Sequence, residues 1–288
     1  MVSRRHLLIR GTQVAAALSL APCLTSLAGP GSRQIKIGAC DWSLGRMANS
    51  ACFQLAKEID LDGVQVSLGS AGDDMKLRRP EVQKEFKEAA SMNGVAIASL
   101  AIGELNNIPY KSDPRAEAWV GDSIDVMQAL GLKVVLVPFF GKGDLSGDVE
   151  GTDEVVRRLK KVAPKAEKAG VILGLESWLS AEDTMRIMDR VGSSAVKMYY
   201  DVCNSTDRGY DLYKEIRWLG KKNICEFHLK ENGFLLGQGK IDFKRVRDAI
   251  EEIGYQGWVQ IEGSVPPGGN IREAYSANCK FLRTLFRE

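Results

Sequence analysis

The sequence predicts an α/β protein built as a single (β/α)8 TIM barrel, and three observations carry that prediction. Short runs rich in Val and Ile recur along the chain, longer segments of helical period separate them, and eight such runs fit within residues 33–288. Strands that alternate with helices pair in parallel, and parallel strands covered on both faces read as nearly continuous apolar runs. V-V-L-V after Lys133 and V-I-L-G-L from Val171 have that form. A doubly wound open sheet is the alternative. No G-x-G-x-x-G follows the first run, which weighs against the dinucleotide-binding version of that sheet.

In chain order the strand runs are 34–41, 63–69, 95–102, 133–139, 171–177, 196–202, 224–230 and 258–263. Helical segments are expected at 81–92, 116–130, 153–168, 181–191, 212–219, 243–253 and 271–286. Ser180 and Asp242 stand where an N-cap side chain would accept a hydrogen bond from the first turn. Gly94, Gly131, Gly170 and Gly254 stand where a left-handed residue ends a helix. Two stretches break the rhythm. Residues 139–152, rich in Gly and Asp, and residues 103–114 follow the fourth and third strands, and in a barrel both fall on the face where sites are built. A mobile lid and a plain solvated loop are the two readings.

Residues 1–28 read differently. Ser3-Arg4-Arg5-His6-Leu7-Leu8 opens a basic region, residues 11–20 are moderately apolar, and Ser26-Leu27-Ala28 offers small residues for cleavage. This pattern resembles a twin-arginine export signal and implies a periplasmic protein. The apolar run is shorter than the roughly 20 residues a spanning helix needs, so no stable membrane association is expected after processing. The leader carries Arg4, Arg5 and Arg10 and no acid, so its removal takes the formal charge from +2 to −1. A nucleic-acid partner loses its electrostatic support on that balance. Five cysteines follow the leader (Cys40, Cys52, Cys203, Cys225 and Cys279) without a C-x-x-C pair, which points to small buried apolar side chains rather than a structural zinc site or a disulfide framework.

The chemistry lies at the ends of the last four strands. Each delivers one candidate metal ligand there: Glu176 in L-G-L-E-S-W, Asp201 in M-Y-Y-D-V, His228 in C-E-F-H-L and Glu262 in V-Q-I-E-G. Their separations of 25, 27 and 34 residues are each about one β/α unit, so a barrel gathers all four around one point. Buried singly, each charge would be costly, whereas three carboxylates and an imidazole around one divalent cation compensate one another. Such an oxygen-rich set with one nitrogen suits Mn²⁺, Co²⁺ or Mg²⁺, and Zn²⁺ remains open.

Glu, Asp, His and Glu at successive strand ends, with G-Q-G-K-I-D-F at 237–243 after the His strand, resemble the xylose isomerase-like sugar isomerase/epimerase superfamily. The resemblance implies that Glu176, Asp201, His228 and Glu262 hold one divalent ion. It also implies that Glu176 and Glu262 form the catalytic acid/base pair, and that the partner is a small carbohydrate. Substrate contacts are expected from Asn204, where related epimerases often carry His, from Lys230, where an arginine is often found nearby, and from Trp178, which either stacks on a sugar ring or plugs the barrel top. Zinc-dependent apurinic endonucleases share the fold but need several histidines, and this chain has two, one of them in the leader. Three readings stay open: an isomerase or epimerase, a lyase or dehydratase acting on a keto sugar or inosose, and a carbohydrate-binding barrel without turnover. The sequence leaves homo-oligomerisation open.

Overall fold

The computed structural model describes residues 35–286, and the leader 1–28 lies outside them. Eight parallel strands close into a barrel: β1 (Ile35–Cys40), β2 (Gly63–Ser67), β3 (Ala96–Ala101), β4 (Val134–Phe139), β5 (Ile172–Ser177), β6 (Val196–Asp201), β7 (Ile224–Leu229) and β8 (Gly257–Ile261), with β8 pairing back onto β1. The helices are α1 (Cys52–Glu58), α2 (Pro80–Asn93), α3 (Pro114–Leu130), α4 (Val149–Ala169), α5 (Ala181–Val191), α6 (Val202–Asp207), α7 (Leu212–Asn223), α8 (Phe243–Glu252) and α9 (Ile271–Leu285). Every predicted strand and helix is present within a few residues of its expected ends. The short helices α1 and α6 were not anticipated, because one or two turns hold too few residues to reveal a period.

Helix ends follow the capping chemistry. Ser180 Oγ accepts from Asp183 N, Asp242 Oδ1 accepts from Lys244 N and Arg245 N, and Gly94, Gly131 and Gly170 close their helices with φ between 65° and 72°. α4 begins at Val149, ahead of the expected 153, because Asp148 caps it by accepting from Gly151 N. Much of 139–152 is therefore helix or 3-10 turn. The rest is tied to 103–114: Phe140 N donates to Asn106 Oδ1, and Lys111 Nζ donates to Asp144 O and Asp148 Oδ2. The solvated-loop reading fits this bracing better than a lid does.

Side chains alternate across each strand, so each contributes to two separate interiors. Outward-facing Val64, Val66, Leu173, Leu175, Tyr200, Phe227, Leu229, Val259 and Ile261 join the apolar layer under the helices. Inward-facing residues fill the lumen. One part is apolar, Ala101, Val134 and Leu136 of β3 and β4 with Tyr199 against them, and the rest is polar and dry: Gln65, Ser99, Glu226, His228 and Gln260, all 2% exposed or less. Gly38 leaves room for this filling, since a Cβ there would sit 2.1 Å from Gln260 Oε1. Four of the five described cysteines are buried, Cys225 is half-buried, and all five are free.

Candidate metal centre

Register brings the four strand-end residues together. Asp201, the last residue of β6, pairs with His228 on β7, His228 pairs with Gln260 on β8, and Glu262 follows two residues later. Glu176 stands next to last on β5. One donor atom from each of Glu176, Asp201, His228 and Glu262 lies within 4.8 Å of all the others. His228 Nδ1 is 2.9 Å from Glu176 Oε1 and 3.6 Å from Glu262 Oε2.

Local structure aims each group. Asp201 also caps α6: its Oδ1 accepts from Cys203 N and Asn204 N, which leaves Oδ2 turned to the centre. Glu262 is held at the rim because the chain turns sharply after it. Gly263 and Ser264 both have positive φ, Gly263 N donates to Ser43 Oγ, and Ser264 Oγ accepts from Glu231 N. Trp42 Nε1 donates to Glu262 Oε1 at 3.0 Å and orients that carboxylate.

The electrostatics separate the two glutamates. Burial pushes the Glu176 carboxyl up to about 7 against the pull of His228. Burial alone would raise Glu262 as well, but Lys230 and His228 outweigh it and hold that carboxyl low. His228 stays well above its ordinary range despite burial, because Glu176, Cys40 and Glu262 favour the imidazolium. Two carboxyls whose environments drive their proton affinities apart form the arrangement an acid/base pair requires.

The donor set fits one divalent cation. Asp201 Oδ2 is buried and makes no hydrogen bond, although Lys230 Nζ lies 3.0 Å away in poor alignment. Three carboxylates converge here and hold the imidazole protonated, so a cation between Asp201, Glu176, Glu262 and His228 would replace that proton and satisfy the oxygen that lacks a hydrogen bond.

Lys230 is not simply a free contact for a substrate, because its Nζ bridges Glu262 Oε2 at 2.8 Å and Asp201 Oδ2. Above the centre opens a cavity of about 530 Å³ whose lining includes Phe140, Trp178, Asn204, Arg208, Lys230 and Glu262. Trp178 faces this cavity with Phe140 tilted against it at 5.3 Å and the Arg208 guanidinium 4.7 Å from its ring centroid, so it forms part of a wall. Asn204 Nδ2 reaches Glu176 Oε1 at 3.5 Å.

Trp42, Phe140 and Arg208 escaped the sequence reading. A position just past a strand end is the signal that would have marked Trp42 and Phe140. Arg208 follows α6, a helix too short to be seen.

A closed parallel barrel with this carboxylate and imidazole cluster at the C-terminal ends of its strands defines a class of barrel enzymes. Residues 53–285 match the family described as xylose isomerase-like TIM barrel, and the chain belongs to that family. It is 25% identical over 226 residues to 2-epi-5-epi-valiolone 7-phosphate 2-epimerase of Actinoplanes sp., a match covering 75% of this chain and 82% of that one. Over 238 residues it is 27% identical to the "Probable endonuclease 4" of Thermotoga sp., covering 69% and 79% of the two chains. The D-psicose 3-epimerase of Clostridium cellulolyticum H10, solved with D-tagatose, superposes with a TM-score of 0.72 at 18% identity over 87% of this chain and 99% of that one, a likeness of fold. Family relatives thus include sugar epimerases.

Proposed function

We propose that this chain is a divalent-metal-dependent isomerase or epimerase acting on a sugar or related polyhydroxy carbonyl compound. The observation that carries the reading is the convergence of Glu176, Asp201, His228 and Glu262 within 4.8 Å of one another, with Glu262 opening onto a cavity whose lining includes Trp178 and Phe140. The ion, when bound, supplies positive charge to oxygens beside the reacting carbon and so acidifies the proton there. Glu262, the more accessible glutamate and the one held ionised by Lys230, takes that proton. Glu176, whose proton affinity burial raises, delivers one. Return to the same carbon epimerises it, and return to the neighbouring carbon isomerises the substrate.

Lys230 stands beside Glu262 and Asn204 beside Glu176, and both are assigned to hold substrate oxygens. Trp178 and Phe140 present aromatic faces suited to the apolar side of a sugar ring. The relative from Actinoplanes, named as an epimerase, supports proton transfer at a carbon centre. A nuclease reading has less support, since His228 is the one histidine among the described residues. Export of residues 33–288 through the twin-arginine route belongs to the same proposal and rests on the leader motif alone.

The test is elemental mass spectrometry on the purified protein before and after chelation and reloading with Mn²⁺, followed by a screen of ketoses in D₂O. About one ion per chain, with deuterium entering next to a carbonyl, is expected. No ion after reloading would overturn the assignment.

A further inference from the structure

Beneath the four donors, the lumen holds a chain of hydrogen bonds that none of the roles above uses. Its anchor is Glu226, two residues before His228 on β7. Its Oε2 lies within reach of three donors: Ser99 Oγ at 2.8 Å, Tyr199 Oη at 3.1 Å and Gln260 Nε2 at 3.3 Å. A hydroxyl has one proton. With Glu226 ionised, Ser99 and Tyr199 both direct theirs to it, so toward any other neighbour each can only accept.

That neighbour is Gln65. Its Nε2 lies 3.1 Å from Ser99 Oγ and 3.0 Å from Tyr199 Oη, so the two amide protons meet the two hydroxyl oxygens. The amide is thereby oriented, and its Oε1 points the other way, 2.9 Å from His228 Nε2. The Cys40 thiol, 3.3 Å away, donates to the same oxygen. An amide oxygen only accepts, so the contact is a hydrogen bond when His228 Nε2 carries a proton, and the Cys40 sulfur, 3.4 Å from the same nitrogen and with its own proton on Gln65 Oε1, can then only accept. In the neutral ring Nδ1 is then bare, and Nδ1 is the nitrogen that faces Glu176 Oε1 and Glu262 Oε2.

We infer that Gln65 is a positioning residue that holds His228 in its Nε2–H tautomer, so that Nδ1 is the nitrogen offered to a divalent cation. The inference rests on the metal-site reading above. It adds that the direction of every bond is set from the barrel floor, by an acceptor that touches neither ion nor substrate. Partners of this kind fix the tautomer and ring orientation of ligating histidines.

The full chain has two histidines, so [¹⁵N]histidine labelling gives two imidazole signals, and His6→Gln identifies that of His228. Two-bond ¹H–¹⁵N correlation then reports which nitrogen is protonated, both with Mg²⁺, a diamagnetic probe, and in the metal-free protein with the ring neutral. The expected pattern is a protonated Nε2 and a bare Nδ1. Gln65→Met, close in volume but without the acceptor, should give mixed tautomers and weaken Mg²⁺ binding by roughly 10–100-fold. Gln65→Glu, which keeps an oxygen at that reach, should restore the single tautomer. A protonated Nδ1 with a bare Nε2 in the neutral ring of the unsubstituted protein overturns the inference, and so does a Gln65→Met variant with unchanged tautomer and affinity. Should Gln65→Met fail to fold, the unsubstituted spectrum decides alone. Should no Mg²⁺ bind, the metal-site reading falls, while the metal-free spectrum still decides the role of Gln65.

Discussion

The two faces of one strand make the sharpest contrast in the molecule. On β7, Phe227 and Leu229 point outward into the apolar layer, while Glu226 and His228 point into the lumen, and all four are 2% exposed or less. Both faces are equally dry, yet they are organised by different physics. Phe227 packs edge-on against Tyr200 and Tyr255, contacts that depend on shape and volume. Glu226 and His228 depend on which atom donates and which accepts, so a change of one proton matters there as much as a change of one methyl group does outside. The lesson is that burial alone says little about role in a barrel: the outer face carries stability and the inner face carries the chemistry.

Breaking the inner face at its rim should give the largest effect on function. Glu262→Gln keeps an oxygen for Trp42 but removes the base, so solvent-deuterium uptake by substrate should fall by roughly 10²–10⁴-fold in a protein that still folds, with a urea midpoint lowered by loss of the ion pair with Lys230. Retained exchange would take Glu262 out of the proton-transfer role.

On the outer face the pattern should invert. Phe227→Ala should cost about 3–5 kcal/mol in urea unfolding by leaving a cavity under α7 and α8, with the Mn²⁺ stoichiometry of the folded protein unchanged. If metal binding were lost as well, the two faces would not be separable.

A smaller effect is expected where a cation already balances the rim. Lys230→Met leaves Asp201 and Glu262 without their ammonium, and urea melts of the chelated protein should show a loss of about 1–3 kcal/mol. That is less than for a fully buried pair, because Lys230 and Glu262 keep some access to water. Mn²⁺ should recover most of the loss, and a deficit independent of Mn²⁺ would mean that the ammonium and the ion do not share the site.

An effect of similar size, read only as a pH dependence, concerns Asp41, buried just above the lumen and raised to about 6 by burial against its hydrogen bonds from Ser67 and Ala48. Its folded-state proton affinity exceeds the unfolded one, near 3.8, so the native state binds more protons between those values. The stability this group contributes is present in full below pH 3.8 and is lost as pH rises through 6, by about 2–3 kcal/mol. In Asp41→Asn that part of the slope should vanish from urea melts taken at stepped pH, and an unchanged slope would assign it to other groups.

Much of the barrel was legible in advance, because a strand's apolar run and a helix's cap are properties of ten or twenty neighbouring residues. The candidate ligands were legible for a related reason: Glu176, Asp201, His228 and Glu262 each end an apolar run, and their spacing follows the β/α repeat. In the first half of the chain, Trp42 showed only its place just past a strand end, and Gln65, in the middle of β2, gave no sign at all. A tryptophan or glutamine at such positions has many uses.

By itself, then, the sequence determined the repeat, the parallel order of the strands and the four residues presented at one end, since all of these follow from local period and chain length. Only the tertiary structure decided that Lys230 bridges Asp201 and Glu262, that Arg208 and Phe140 flank Trp178, and that the amide of Gln65 meets a ring 163 residues away. The physical reason is the direction of hydrogen bonds. Whether His228 offers Nδ1 or Nε2 depends on donors and acceptors drawn from β2, β3, β6 and β7, and closure of the barrel is what sets them side by side.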